Sequence, residues 1–284
     1  MLKKIIDYLV QDLEVQPNVA VTIILSLLTF CLGFIITWTA AGVSKWIKRR
    51  NYKRSLRVVI HNFLESCRKQ YLLLEPLTKQ KGFLEGENYN VFVKSNFGQH
   101  YLSSIDIKTF IDNFSSFFSK RRPQEIADFF EIVETVRAVK DTSKEQITIY
   151  QSSYDENLKK YNENLNELRK LNDEFALEYS GKNVNPHLVS YISNFASTFI
   201  KWIEGGGNKS VQATNFEIVT PLIEIAKSFP HGPHSRKIID HCVQCRAAFE
   251  NIYNVDEYMK DEIGNLRKIH KNSYDRGIAL VKKW

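Results

Sequence analysis

The apolar and polar positions change rhythm several times along the chain, and the first rhythm is no alternation at all. From Val19 to Val43 there is not one charged residue. At about 1.5 Å per residue a helix over these positions is longer than a hydrocarbon layer of roughly 30 Å. A helix also pairs its own backbone N–H and C=O groups, as lipid requires. Pro17 and Asn18 stand where a helix start tolerates them. A cleavable signal would carry a shorter apolar region nearer the start. The pattern therefore predicts one transmembrane helix over 19–43, preceded by a short extracytoplasmic segment, 1–18. In that segment Leu2, Ile5, Ile6, Leu9 and Leu13 make an amphipathic stripe.

Beyond the span the helical period returns. Leu56, Val59, Ile60, Phe63, Leu64, Cys67, Tyr71 and Leu74 fall three or four apart as far as Glu75-Pro76, where the proline ends the run. Residues 44–122 read as a basic juxtamembrane stalk and helical region, with loops around Gly82, Gly86 and Gly98 and an aromatic helix holding Phe110, Phe114, Phe117 and Phe118. Residues 123–182 have no proline after Pro123 and no glycine before Gly181. There Tyr154, Leu158, Tyr161, Leu165, Leu168, Asn172, Phe175 and Tyr179 keep a heptad rhythm, able to pair within or between chains. Thr142-Ser143-Lys144-Glu145 has the form of a capping box, which predicts a joint near Asp141. Residues 183–284 read as a C-terminal helical bundle, with helices from Pro186, over 212–228, over 235–254 and over 256–282. The fold class is all-α: an N-terminal transmembrane helix, then a cytoplasmic helical domain with a long coiled-coil-like helix or hairpin.

Charge adds an orientation. The chain carries +7 overall, but residues 1–123 hold 18 basic and 9 acidic groups, residues 124–185 hold 8 and 13, and residues 186–284 hold 13 and 10. The excess is mostly juxtamembrane, so it is no general signature of nucleic-acid binding. Lys45, Lys48, Arg49, Arg50, Lys53, Arg54 and Arg57 follow the span directly, which places the N-terminus outside and the rest in the cytoplasm of an inner membrane. Lys45, Lys48, Arg49, Arg50, Lys53 and Arg54 are the candidate headgroup-binding set, each attracting anionic lipid by roughly 1 kcal/mol. Within the span, Thr22, Ser26, Thr29 and Gly33 share one face, which predicts self-association there. The four cysteines are expected reduced.

Candidate chemistry is confined to residues 231–245. Cys242 and Cys245 share a helix face, and His241 with His234 or His231 would complete a zinc tetrahedron, so His234, His241, Cys242 and Cys245 are the candidate metal set. Zinc knuckles, however, place their cysteine pair in a turn rather than a helix. Arg236-Lys-Ile-Ile-Asp-His241 resembles the Arg-x4–6-His motif of the HEPN family of all-helical, metal-independent ribonucleases. That resemblance, over six residues, implies catalysis by Arg236 and His241 from two paired chains, the Arg steadying phosphate charge and the His moving the 2′-hydroxyl proton. The plainest reading is an amphipathic helix with Ile238, Ile239, Cys242 and Phe249 inward. The leading expectation is a non-enzymatic membrane-anchored module that self-assembles and meets a cytoplasmic protein partner, with no cofactor. Nucleic acid is a partner only under the ribonuclease alternative. Richness in Asn, Lys, Ile, Tyr and Phe fits AT-rich coding DNA and with it a bacterial stress or anti-phage setting.

Overall fold

The computed structural model describes residues 16–93, 99–114, 122–179, 185–206 and 210–283, with Tyr8, Val10 and Gln11. All regular structure among them is helical. The amphipathic stripe expected over residues 2–15 and the helix-closing Gly181 lie outside the described residues. The α-helices among the described residues are, in order, α1 (Pro17–Leu74), α2 (Gln99–Ser104), α3 (Ile107–Phe114), α4 (Arg122–Tyr179), α5 (Pro186–Glu204), α6 (Val211–Thr214), α7 (Thr220–Ser228) and α8 (Ser235–Val281). The chain divides into two compact units, Met1–Ile60 with Asp106–Pro123, and His61–Ile105 with Gln124–Trp284.

The first unit holds the beginning of α1 and all of α3. Along Val19–Val43 nearly every apolar side chain is exposed, Phe30 at 73% and Trp38 at 72%. The helix is long and apolar enough to cross a membrane. In α3, Asp106 caps the first turn by accepting from the amides of Lys108 and Thr109, which holds its carboxyl below the usual range.

The second unit is built on two long helices. α4 and α8 run antiparallel, and the partners of one fall as those of the other rise. Glu125 meets Lys283, Ser143 hydrogen-bonds Glu262, Tyr150 stacks on Tyr258, Asn157 accepts from Asn251, and Asn164 meets His241. The expected joint at Asp141 is absent: α4 is a single helix of 58 residues. The Ser143 hydroxyl bonds Glu262 across the seam and caps nothing. The expected break near residue 255 is absent too, since α8 is a single helix of 47 residues in which Val255 and Asp256 are both buried. Its inward residues, from Ile238, Cys242 and Cys245 through Ile252, Met259, Ile263 and Leu266 to His270, Ser273 and Gly277, hold one 3–4 rhythm throughout.

The end of α1 completes a three-helix layer. Phe63 packs edge-on against Phe129, Tyr71 lies beside Tyr274, and Glu75 pairs with Arg267. Gly277 leaves room for Leu64, one of whose methyl groups a Cβ there would strike. At the other end, Tyr191, Phe195, Phe199 and Trp202 of α5 and Leu222, Ile223 and Ala226 of α7 join Leu168, Leu171 and Phe175 of α4 in one core. Pro186 begins α5 under the Asn185 side chain, which accepts from the amide of His187. Between α6 and α7, Asn215–Val219 widens to a π turn. Pro221 has no N–H to continue an ordinary ladder, and the Thr220 hydroxyl joins its own amide in donating to the Asn215 carbonyl.

Candidate functional site

Residues 229–235 make a tight corner into α8. Ser235 donates to the Phe229 carbonyl at 2.7 Å, and the Tyr191 hydroxyl lies 3.0 Å from Ser235. A Cβ on Gly232 would crowd both Ser235 and the Phe229 carbonyl, so glycine suits the turn. His234 adopts a left-handed backbone, its ring 5.5 Å from that of Phe175 and its Nε2 3.9 Å from the Glu178 carboxylate.

The metal set is not brought together. Cys242 and Cys245 point into the core, both fully buried, and the Cys245 thiol donates to the Tyr161 carbonyl at 3.6 Å. Burial pushes the Cys245 thiol up to about 12, and burial with the neighbouring Cys245 pushes Cys242 higher still. Burial holds both thiols in the neutral, unreactive form. His241 is half-buried and its Nδ1 meets Asn164 Oδ1 at 2.9 Å, while His234 is held at the corner. Among the described residues no group of three or more His, Cys, Asp or Glu is arranged to hold a metal ion.

Arg236 is exposed and His241 half-buried on the same helix. Five residues apart, they point about 140° away from one another around its axis. Within one chain they do not converge on a single point.

A different polar centre escaped the sequence reading. Asp256 is the one fully buried carboxylate among the described residues. Its Oδ1 accepts from the Phe83 amide at 2.7 Å and the Tyr89 hydroxyl at 3.1 Å, and its Oδ2 meets Lys260 Nζ at 2.7 Å. Burial and the Asp256 charge both push the Tyr89 hydroxyl pKa up. Residues 82–93 thereby form a strap across three helices, each lending it one polar side chain. Gln70 of α1 donates to the Phe92 carbonyl, Gln151 of α4 to the Tyr89 carbonyl, and Asp256 is the tie from α8. Phe83 stacks on Tyr154 with ring centres 4.0 Å apart. Asp256 is shut off from solvent and its oxygens are taken up by the strap and by Lys260, so the centre holds the fold together. The sequence signal for it is an acid at an inward position of α8 and a glycine, Gly82, at the strap's first turn.

On the apolar stretch of α1, Thr22, Ser26, Thr29 and Gly33 are exposed, and nothing lies within 4 Å of where a Gly33 Cβ would be. Thr22 and Thr29 return their hydroxyls to the Asn18 and Leu25 carbonyls, so no polar hydrogen of theirs faces outward. Lys45, Lys48, Arg49, Arg50 and Arg54 are exposed and Lys53 half-exposed. The Arg50 guanidinium lies 5.4 Å from the Trp46 ring centre. Compared with protein-family models, curated proteins and solved structures, the chain matches none.

Proposed function

We propose that the chain is a single-pass membrane protein, N-terminus outside, whose helical part serves on the cytoplasmic side as a non-enzymatic assembly and interaction module. One observation carries this reading: 25 uncharged residues form a helix whose apolar side chains turn outward instead of into the protein. In water that surface would be unstable; in lipid it is solvated. The basic tract directly after it supports the orientation. The bare Thr22/Ser26/Thr29/Gly33 face suits contact with a second copy, since small residues let helices approach closely. The module reading also draws on the second unit, whose polar centre binds the protein's own strap.

The test is twofold. Alkaline carbonate should leave the full-length protein in the membrane fraction, and a reporter that works only outside the cytoplasm should be silent when fused after Trp284. Release by carbonate would remove the anchor, and an active reporter would reverse the topology. The alternative, a membrane-tethered ribonuclease of the HEPN type, draws on the exposed Arg236 and on His241 steadied by Asn164. It requires RNA cleavage by the purified protein that His241→Ala abolishes.

A further inference from the structure

The helix α5 is apolar on two sides. One side packs into the core through Tyr191, Phe195, Phe199 and Trp202. The other turns outward: Val189 is 51% exposed, Ile200 52% and Ile203 63%. Ser193, exposed, and Ala196, half-buried, continue that line. At about 100° per residue Val189, Ser193, Ala196, Ile200 and Ile203 fall within an arc of about 80°, away from the core side. From Pro186 to Ile200 the helix carries no Lys, Arg, Asp or Glu. The outward face of α4, by contrast, is laced with ion pairs such as Lys160–Glu156 and Lys170–Glu167.

We infer that this face of α5 pairs with the same face of a second copy, the two helices antiparallel about a two-fold axis at Ala196. The inference deepens the assembly reading above and rests on it. The stripe is close to its own reverse. Counted from Ala196, Val189 and Ile203 stand seven positions to either side, Ser193 three before and Ile200 four after. A two-fold axis therefore sets Val189 against the partner's Ile203 and Ser193 against the partner's Ile200, with Ala196 facing the partner's Ala196. Contact between like surfaces demands such self-complementarity. The small central residues let the two axes approach, while a branched side chain closes each end. Charge selects the direction. Glu204 sits at the C-terminal end of α5, the negative end of its own helix dipole, and the first turn at Pro186 holds no acid. An antiparallel partner brings that positive first turn toward Glu204, whereas a parallel one would set two Glu204 carboxylates side by side. Copies anchored in one membrane meet at a raised effective concentration, so a single helix pair is contact enough.

Disulfide cross-linking of the full-length protein in neutral detergent tests this. Cys31 is exposed and the other three cysteines are buried, so Cys31→Ser supplies a quiet background. Under mild oxidation A196C should form a linked dimer several-fold faster than N194C, an exposed position of the same helix off the stripe. V189C and I203C should each stay monomeric alone and link to one another when mixed and equilibrated. A rate for A196C no higher than for N194C overturns the proposal. So does self-linking of V189C and of I203C, which would mean a parallel pair. These are outward positions, where a cysteine leaves the fold intact. Gly33→Ile keeps the two contacts apart: the Ala196 cross-link should persist in that background even where the span contact is lost. Its disappearance there would mean that the span alone gathers the copies, and would overturn the α5 pairing while leaving the assembly reading in place.

Discussion

The amide of Phe83 donates to the Asp256 carboxylate at 2.7 Å, joining a loop to a helix 173 residues further along. Asp256→Ala would leave that amide and the Tyr89 hydroxyl buried without an acceptor. The expected cost is about 3 kcal/mol, because breaking a buried charged network costs more than making it returns. Gly82→Ala should destabilise through the same contact. Gly82 has φ +86°, and a Cβ there would run into Asp256 Oδ1 and the Tyr89 hydroxyl. Urea unfolding of the detergent-solubilised protein measures both; a change under about 0.5 kcal/mol in either would show that the strap is not held this way.

His270 should set part of the acid sensitivity. It is buried on α8 with its Nδ1 unpartnered, and burial, followed by the Lys140 charge, lowers its pKa to about 4. The unfolded imidazole titrates near 6.5. The folded state therefore binds a proton less readily, so the stability contribution is complete above about pH 6.5 and lost as pH falls toward 4. Over that window the loss approaches about 3 kcal/mol. His270→Leu should flatten the stability-against-pH curve between those values relative to the parent, and an unchanged slope would assign the acid sensitivity elsewhere.

The two inward thiols should be inert in the folded protein. With Cys245 raised to about 12 and Cys242 above it, thiolate is scarce and neither sulfur reaches solvent. Maleimide should modify Cys242 and Cys245 only after denaturation. Prompt labelling of the native protein would mean that this core opens, and copurifying zinc lost on Cys245→Ser would revive the metal set.

Gly33→Ile tests self-association in the membrane. The larger side chain would hold neighbouring helices apart where close approach depends on its absence. Cross-linking of the full-length protein should fall several-fold, and an unaltered pattern would move the contact to another face.

What the sequence made legible depended on whether a residue's partner was near it in the chain. The seam through Tyr154, Tyr161, Leu168 and Phe175 was visible because those residues are apolar, and all four are buried. The adjoining heptad positions Ser143, Asn157 and Asn164 were not, since their partners Glu262, Asn251 and His241 lie roughly a hundred residues away. Locally a serine before Lys-Glu reads as a cap, and only the antiparallel register shows that its hydroxyl belongs to another helix. Asp256-Glu257 looked like the first turn of a new helix for the same reason: the Phe83 amide that makes a buried aspartate tolerable is invisible from α8 alone. In the 231–245 cluster, residue types suggested chemistry, whereas the helix phase put Cys242 and Cys245 inward and Arg236 outward.

The pairing of Leu64 with Gly277, of Tyr71 with Tyr274 and of Glu75 with Arg267 has a mechanical consequence. Chain entry at His61 and the last turn of α8 sit at the same end of that helix pair. A load applied between His61 and the last turn of α8 would therefore open the pair like a zipper, one layer after another. Each layer would yield before the next is strained, so the bundle should give way at low force and by steps. The same load applied to α1 and to the start of α8 would act in shear on every layer together and meet far greater resistance. The direction of a pull, more than its size, decides whether this bundle holds.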